Sequence, residues 1–448
     1  YCVMNRIKHT IPFWVLPIYI FFFNCSSDDS QISVPIIGDI DEVKTFGGTK
    51  NEGADSVTKT SDGGFAVLGF VQSMDGDVSG KTNESFDYWV LKFDANSILQ
   101  WNKAFGGSAD DRGKQIIQTS DGGYAIIGYS QSADGDVTEN VGIQDYWIAN
   151  LDAIGNLLWQ KSFGFSGAAI GYSVLQANDD GYLITGTLDV TASGGQGNSR
   201  SSRRHAGGDY WAIKLDANGD KQWSRYYGGT FTDTPYDAIQ TDDDGFIIVG
   251  STDSQDVDIS NSNGSYDFWI IKISSSGDLI WEKSFGGSEI DEAHAISKSN
   301  DGNYIVVGDT RSSDLDVLEN NGAADLWVIK ISSTGELIWE RTYGGSSFDV
   351  GRDITNTQDN GFLITGSSRS SDGDLTTNNG QNDAWVLKID ANGNLEWQKT
   401  VGGSEIDFGY GVAELNDRTI TVVGDSSSSD NDIMENKGFT DLLVIKLK

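Results

Sequence analysis

Pairs of aspartates separated by one residue recur along this chain and are its clearest candidates for chemistry. They occur in six of seven copies of a repeated segment, and a further aspartate stands eleven or twelve residues after the first of each pair. Three carboxylates with Asn and Gly between them offer the oxygen ligands that Ca²⁺ takes in numbers of six to eight, although the spacing is not that of an EF-hand. The predicted calcium ligands are Asp134, Asp136, Asp145, Asp256, Asp258, Asp267, Asp314, Asp316, Asp325, Asp372, Asp374 and Asp383.

A second hypothesis explains the same acids without an ion. Each Asp can accept hydrogen bonds from amides of its own loop, forming an Asx turn that shapes the loop and starts the next strand. The third copy lacks the pair, which argues against ions that hold the whole fold together. The sequence leaves both hypotheses open.

The third copy also contains an insertion. Its segment from Thr187 to Gly208 is about six residues longer than in the other copies and holds the one basic cluster of an acidic chain. A loop that docks an acidic partner is one interpretation, and a disordered Gly/Ser-rich insertion is the other. The residues of this predicted partner site are Arg200, Arg203, Arg204 and His205.

Catalytic motifs are otherwise missing from the sequence. The three histidines, His9, His205 and His294, show neither metal-ligand spacing nor a nucleophile motif. We therefore assign no catalytic residue and favour a non-catalytic protein.

These groups are positioned by an internal repeat. Phe46-Gly-Gly and its six equivalents follow one another at steps of 59, 58, 64, 58, 58 and 58 residues. Each period predicts four short strands, a to d; in the second copy they are residues 115–119, 124–129, 145–151 and 157–163, with Asp-Gly turns between hairpin strands. Seven four-stranded antiparallel units predict an all-β, seven-bladed β-propeller over residues 39–448.

The ends of the repeat predict how the ring closes. The last copy stops after strand c, and residues 41–46 read as a strand d without its own blade, so they can complete the last blade. We expect strand a to line the channel because small residues occur there; the opposite phase, with d innermost, stays open. The small residues are Gly113, Gly171, Ala293, Gly351 and Gly409.

Tryptophan and glycine mark the predicted core. Twelve of thirteen tryptophans fall at one position of strand c or one of strand d, which is typical of packing between blades and not of one ligand site. A glycine closes strand b in all seven copies and predicts a bulge or a close backbone approach.

Composition limits the partners. The chain has 31 Lys and Arg against 66 Asp and Glu, a net charge of −35, which excludes nucleic acid and anionic lipid as binding partners. Such a surface favours divalent cations, cationic partners or plain solvation.

The N-terminus predicts export. A basic head at residues 4–8 and an apolar run at 11–23 end at Cys25, so we expect a signal peptide over 1–25 and a tether over 26–38. The arrangement resembles a bacterial lipoprotein signal, in which this Cys is lipidated, although Phe23 and Asn24 are not the small residues that precede it there. An ordinary signal peptide with an incidental Cys25 is the alternative.

The repeats also resemble known families. The stretch from Phe105 to Tyr129 resembles the β-propeller repeat of bacterial and archaeal surface proteins, and the segment from Ala212 to Trp223 is similar to the PQQ-type propeller repeat. Together the resemblances cover residues 40–448, but no residues match those that hold the quinone, so we expect no cofactor other than Ca²⁺.

We therefore expect a monomeric binding or scaffold module for a protein or glycan at the outer membrane or cell surface, or secreted if Cys25 is not lipidated. The only predicted membrane contact is the lipid anchor. The alternative is a propeller hydrolase or lyase that acts on polysaccharide.

Overall fold

The computed structural model describes residues 37–198 and 205–448. The predicted signal peptide, Cys25 and nearly all of the tether lie outside these residues, as do Arg200, Arg203 and Arg204. In the described part of the chain, 28 strands form seven four-stranded antiparallel sheets, which confirms the seven-bladed β-propeller. No helix among these residues is long and apolar enough to span a membrane.

Blades 1 to 3 follow the strand β1 (Ile40–Phe46), which belongs to blade 7. Blade 1 contains β2 (Glu52–Lys59), β3 (Phe65–Val71), β4 (Asp87–Phe93) and β5 (Leu99–Phe105). Blade 2 contains β6 (Asp111–Gln118), β7 (Tyr124–Ser130), β8 (Asp145–Leu151) and β9 (Leu157–Phe163). Blade 3 contains β10 (Ala169–Gln176), β11 (Tyr182–Asp189), the helix α1 (Val190–Ser193), β12 (Gly208–Leu215) and β13 (Lys221–Tyr227).

Blades 4 to 7 repeat the same order. Blade 4 contains β14 (Asp233–Gln240), β15 (Phe246–Thr252), β16 (Asp267–Ile273) and β17 (Leu279–Phe285); blade 5 contains β18 (Asp291–Lys298), β19 (Tyr304–Thr310), β20 (Asp325–Ile331) and β21 (Leu337–Tyr343). Blade 6 contains β22 (Asp349–Asn356), β23 (Phe362–Ser368), β24 (Asp383–Ile389) and β25 (Leu395–Val401); blade 7 contains β26 (Asp407–Glu414), β27 (Ile420–Ser426) and β28 (Asp441–Leu447).

The ring closes between the two ends of the propeller, as predicted. Strand β1 pairs antiparallel with β28 and forms the fourth strand of blade 7. Beyond the strand, the amides of Asp39 and Lys448 each donate to the other's carbonyl oxygen, at 3.1 and 3.0 Å, and Lys448 forms an ion pair with Asp41.

The first strand of each blade lies innermost. Each of these strands contacts its counterpart in both neighbouring blades, which settles the strand phase in favour of strand a at the channel. In blade 2 this strand begins at Asp111, four residues earlier than predicted, because a bulge interrupts its alternation.

The core lies between blades. The six strand-c tryptophans are at most 1% exposed, and those of strand d are half-buried. Each strand-d ring packs against a glycine of the next blade, as Trp101 does against Gly155, so the tryptophans are packing residues as predicted.

Candidate functional site in the central channel

A β-bulge interrupts the innermost strand of every blade at the same position. In blade 2, Gly113 pairs with Gly128 and Gln115 pairs with Ile127, so Lys114 has no partner in the ladder. The predicted close approach at the strand-b glycine is its cause, since a Cβ on Gly128 would lie under 3.0 Å from the carbonyl oxygen of Arg112. The glycine of strand b and the bulge of strand a are therefore one structural device.

The bulge directs one unpaired side chain per blade into the channel. Together these side chains line a cavity of about 230 Å³. These side chains are three Tyr and one each of Asp, Lys, His and Arg, whereas the residue before each bulge is Gly, Ala or Pro. The seven bulge residues are Asp55, Lys114, Tyr172, Tyr236, His294, Arg352 and Tyr410.

The residue after the bulge has a different role in four blades. Its side chain accepts a hydrogen bond from a backbone amide of the next blade and so joins the two inner strands. The bonds run from Ile116 to Ser56 at 3.3 Å, from Val174 to Gln115 at 2.6 Å, from Ile296 to Asp237 at 3.1 Å and from Val412 to Asp353 at 2.8 Å.

The bulge residues are the variable groups whose side chains line the channel in all seven blades. Lys114 and Asp55 form an ion pair at 2.7 Å across the interface between blades 1 and 2. Burial opposes the charge of the ammonium, but Asp55 outweighs it and raises the pKa of Lys114. Lys114 is therefore a firmly charged cation within the channel wall.

The opposite side of the channel contains a His–Arg–Asp cluster. Nη1 of Arg352 lies 2.6 Å from Nε2 of His294, and Oδ1 of Asp309 lies 3.2 Å from the same nitrogen. The ring of Tyr236 packs on the imidazole at a centroid distance of 4.8 Å. Burial and the charge of Arg352 lower the pKa of His294 to about 4, so the imidazole is neutral at pH 7.

Burial raises the pKa of two further acids at or near the channel. Burial raises the pKa of Asp353 to about 7, and burial together with the charge of nearby Asp55 raises the pKa of Asp425 to about 7. Burial also raises the pKa of the Tyr410 phenol. The channel thus combines charged groups, an acid with a pKa of about 7 and phenols in a ring without seven-fold symmetry.

The aspartates predicted to bind calcium shape the loops between strands b and c. In blade 2, Asp134 accepts from the amide of Ser108 at 2.7 Å, Asp136 from Gly106 at 3.2 Å and Asp145 from Val141 at 2.7 Å. Equivalent bonds are made by Asp256, Asp258, Asp314, Asp316, Asp325, Asp372, Asp374 and Asp383, and Asp267 accepts from the amide of Asn263. The two acids of the pair therefore accept from the Gly-Gly link that precedes their blade and not from their own loop, and only the strand-c Asp forms a bond of the kind that the Asx-type hypothesis describes.

Acids that the sequence assigned to one site lie at two different links between blades. Asp316 lies at the link residue Gly286, whereas Asp325 of the same blade faces Gly344, the link to the next blade. Burial raises the pKa of Asp325 to about 6, and the charges of Asp349 and Asp374 from blade 6 add to this effect. Within residues 37–198 and 205–448, no three His, Cys, Asp or Glu side chains already form a group able to hold a metal ion. Calcium binding stays a prediction.

His205 is buried, in contrast to the exposed docking position that the basic cluster suggested. Its Nδ1 lies 2.6 Å from Oδ2 of Asp209, and its side chain is 2% exposed. Burial disfavours the imidazolium, but the bond and charge of Asp209 prevail and raise the pKa of His205. The inserted segment also forms α1, whose first turn is capped by Asp189.

Comparisons with known proteins add little beyond the fold. The sequence matches no protein-family profile. The chain is 25% identical over 211 residues to the regulatory protein FlaEY of Caulobacter vibrioides, a match that covers 44% of this chain and 22% of that protein. The chain therefore spans about a fifth of the length of this relative.

Solved structures with a similar course of the chain include two of eukaryotic origin. Sqt1 from Chaetomium thermophilum has a TM-score of 0.48 at 9% identity, with 92% of this chain and 100% of that chain covered. The Pan2 WD40 domain of Neurospora crassa has a TM-score of 0.48 at 8% identity, with 92% and 97% covered. The fold assignment depends on the seven sheets themselves.

Sequence reasoning missed the bulge ring. The strand-b glycine was the available signal, because the residue that opposes it marks the bulge in every copy. No residue type is common to all seven bulge residues, although three of them are Tyr, so the repeat itself did not draw attention to them.

Proposed function

We propose that this protein is an extracytoplasmic binding module for a protein or glycan, anchored through a lipid on Cys25, and that its ligand occupies the central channel. One observation carries the proposal. The bulge position is built identically in seven blades but filled by chemically different side chains, as expected where a fixed scaffold presents one asymmetric site.

The chemistry of the channel favours a polar ligand with a flat face. Tyr172 and Tyr236 lie with ring centroids 5.2 Å apart and offer aromatic surface, while Lys114 and Arg352 offer cationic donors. Aromatic faces beside charged hydrogen-bond donors suit a sugar ring, above all one with a carboxylate. A cavity of about 230 Å³ lies near the lower end of ligand pockets, so it fits one sugar residue or one side chain of a partner.

A glycan panel tests the proposal. The full mature chain is assayed against neutral, uronate-containing and sulfated glycans, together with a variant Tyr172→Ala and a control Leu158→Ala on the exposed outer strand β9. We expect binding to the uronate-containing set, a loss of at least tenfold in Tyr172→Ala and none in the control. Equal binding by all three proteins would place the ligand outside the channel.

The His–Arg–Asp cluster favours a second candidate function, a lyase or hydrolase that acts on polysaccharide. A neutral His294 beside Arg352 resembles a base placed next to a cation that neutralises a substrate carboxylate. The test is the release of unsaturated or reducing ends from uronate polysaccharides. Release that His294→Gln abolishes would establish catalysis, and binding without release would leave the binding module.

The surface location is the third element of the proposal. It is supported by the Cys25 segment and by the net charge of −35, which disfavours contact with nucleic acid. Cys25→Ser should move the protein from the membrane to the soluble fraction, and unchanged partitioning would remove the lipid anchor from the proposal.

A further inference from the structure

Acidic groups from two blades meet at the Gly-Gly link between them, in what we call an interblade acid site. Each site contains the first Asp of strand c of one blade, the first residue of strand a of the next blade, and the second Asp of the loop pair of that next blade. At the interface of blades 5 and 6 these are Asp325, Asp349 and Asp374. A Cβ on the link residue Gly344 would lie 2.7 Å from Oδ1 of Asp325 and 2.8 Å from Oδ2 of Asp349, and its amide donates to Asp374 at 3.0 Å.

Three of the seven interfaces hold a cation supplied by the chain itself. Lys81 pairs with Asp87 at 2.7 Å between blades 1 and 2, and its side chain is fully buried. Lys437 pairs with Asp77 at 2.7 Å between blades 7 and 1. His205 fills the same place between blades 3 and 4, beside Asp209 and 3.7 Å from Asp258.

The interface of blades 2 and 3 lacks two of the three acids. Strand β10 begins with Ala169 in place of an acid, and the third copy has no Asp-x-Asp pair. The remaining Asp145 accepts from the amides of Val141 and Gly142 at 2.7 and 3.2 Å. One acid with two amide donors needs no cation, and the chain places none here.

The remaining three interfaces have all three acids and no cation of the chain among the described residues. Oδ1 of Asp267, of Asp325 and of Asp383 is buried without a hydrogen-bond partner, and each of these residues is 0% exposed. Oδ1 of Asp209 and of Asp441 is also without a partner, but at those two interfaces His205 and Lys437 supply a positive charge. The position that holds Lys437 and His205, four residues before the strand-c Asp, is occupied by Asn263, Asn321 and Asn379. Asn379 donates only a neutral amide to Asp432, at 3.2 Å.

We propose that these three interfaces bind a divalent cation, Ca²⁺, in the place that Lys81, His205 and Lys437 fill elsewhere in the ring. Clustered and largely buried carboxylates without a counter-charge are costly, and a cation from solution supplies the missing charge. The ligands would all be oxygen, which suits a hard cation, and side chains from two blades can close around Ca²⁺ because it tolerates irregular geometry better than Mg²⁺ does. The ion would join neighbouring blades. This inference does not depend on the proposed ligand of the channel.

Exchanging Asn and Lys between equivalent positions tests the proposal on the full mature chain. Calcium is counted by equilibrium dialysis with elemental analysis, and we expect three ions per chain. Asn321→Lys places a cation as Lys437 does and should lower the count to two, while Lys437→Asn recreates the Asn321 pattern and should raise it to four. The melting temperature should fall on chelation in the wild type and less so in Asn321→Lys.

Two salts serve as controls. Na⁺ at matched ionic strength reports the screening of the acidic surface, and Mg²⁺ reports the preference for ion size. Absence of bound calcium, equal stabilisation by Na⁺ and Ca²⁺, or a count that neither exchange changes would overturn the proposal. Should Asn321→Lys fail to fold, the gain of an ion in Lys437→Asn remains the deciding measurement.

Discussion

Asp349 and Arg352 lie only three residues apart on the inner strand β22, but the first is part of the repeated scaffold and the second is part of the variable channel wall. Asp349, the first residue of β22, belongs to the repeated pattern, is fully buried, and accepts from the amide of Gly345 and the hydroxyl of Ser370, both at 2.7 Å, and from the hydroxyl of Ser368. Arg352, at the bulge, is the one Arg among the seven bulge residues and faces the channel. The comparison teaches that repeated residues build this propeller, whereas function is to be sought where the repeat varies.

Removal of the closing strand should have the largest effect, because it attacks the repeated architecture itself. A chain that begins after Phe46 leaves β28 with an unpaired edge and uncovers the core of blade 7, in which Val43 and Ile40 pack. We expect a loss above about 5 kcal/mol, more than a single large core truncation costs. A chain that begins at Ile37 is the control. Chemical denaturation that finds the two equally stable would mean that β1 does not close the ring.

A single repeated acid should matter less but clearly. Asp349→Ala leaves the amide and two hydroxyl donors around it without an acceptor, and we expect a loss of about 3 kcal/mol. Denaturation in urea measures it. A loss below about 1 kcal/mol would show that these donors find other acceptors and that the repeated acid is dispensable.

The channel cluster should produce a smaller effect that depends on pH. The pKa of His294 is about 4 in the folded protein and 6.5 when unperturbed, so the unfolded chain binds the extra proton first. Stability from this group is therefore complete above about pH 6.5 and is lost as the pH falls toward 4, by about 2 kcal/mol at pH 5. His294→Gln should remove this part of the acid sensitivity; identical pH profiles for the two proteins would contradict the burial of the imidazole.

The exposed member of an aspartate pair should have the smallest effect. Asp134 accepts one hydrogen bond from the amide of Ser108 on the surface, and hydrogen bonds from Ser108 lower its pKa. The carbonyl oxygen of Asn can accept the same bond, so we expect Asp134→Asn to keep its melting temperature within about one degree. A clear drop in the melting temperature that no salt reverses would show that the aspartate pair stabilises the fold despite its exposure.

The fold could be predicted from the sequence because the repeat provides several independent signals for the same architecture. The spacing of the Gly-Gly links, the Trp positions and the spare strand at residues 41–46 each predict the same ring. The channel residues could not be predicted, because a bulge shifts the alternation of strand a, and no residue type is common to Lys114 and all of its equivalents.

The interblade acid sites could not be predicted for a different reason. Asp316 and Asp325 are close in sequence but belong to different interfaces, and only the ring shows which loop meets which link. Lys81, His205 and Lys437 looked unrelated until the structure placed them beside the same carboxylates.

The most direct test of the contrast between repeated and varied residues measures two variants of β22 side by side. Asp349→Asn and Arg352→Gln are each assayed for melting temperature and for binding to the uronate-containing glycans. The account predicts that Asp349→Asn melts lower but binds normally while folded, and that Arg352→Gln melts close to the wild type but loses binding at least tenfold. If Arg352→Gln binds as the wild type does, and binding instead falls in Asp349→Asn at temperatures where it is folded, the varied ring is not the site.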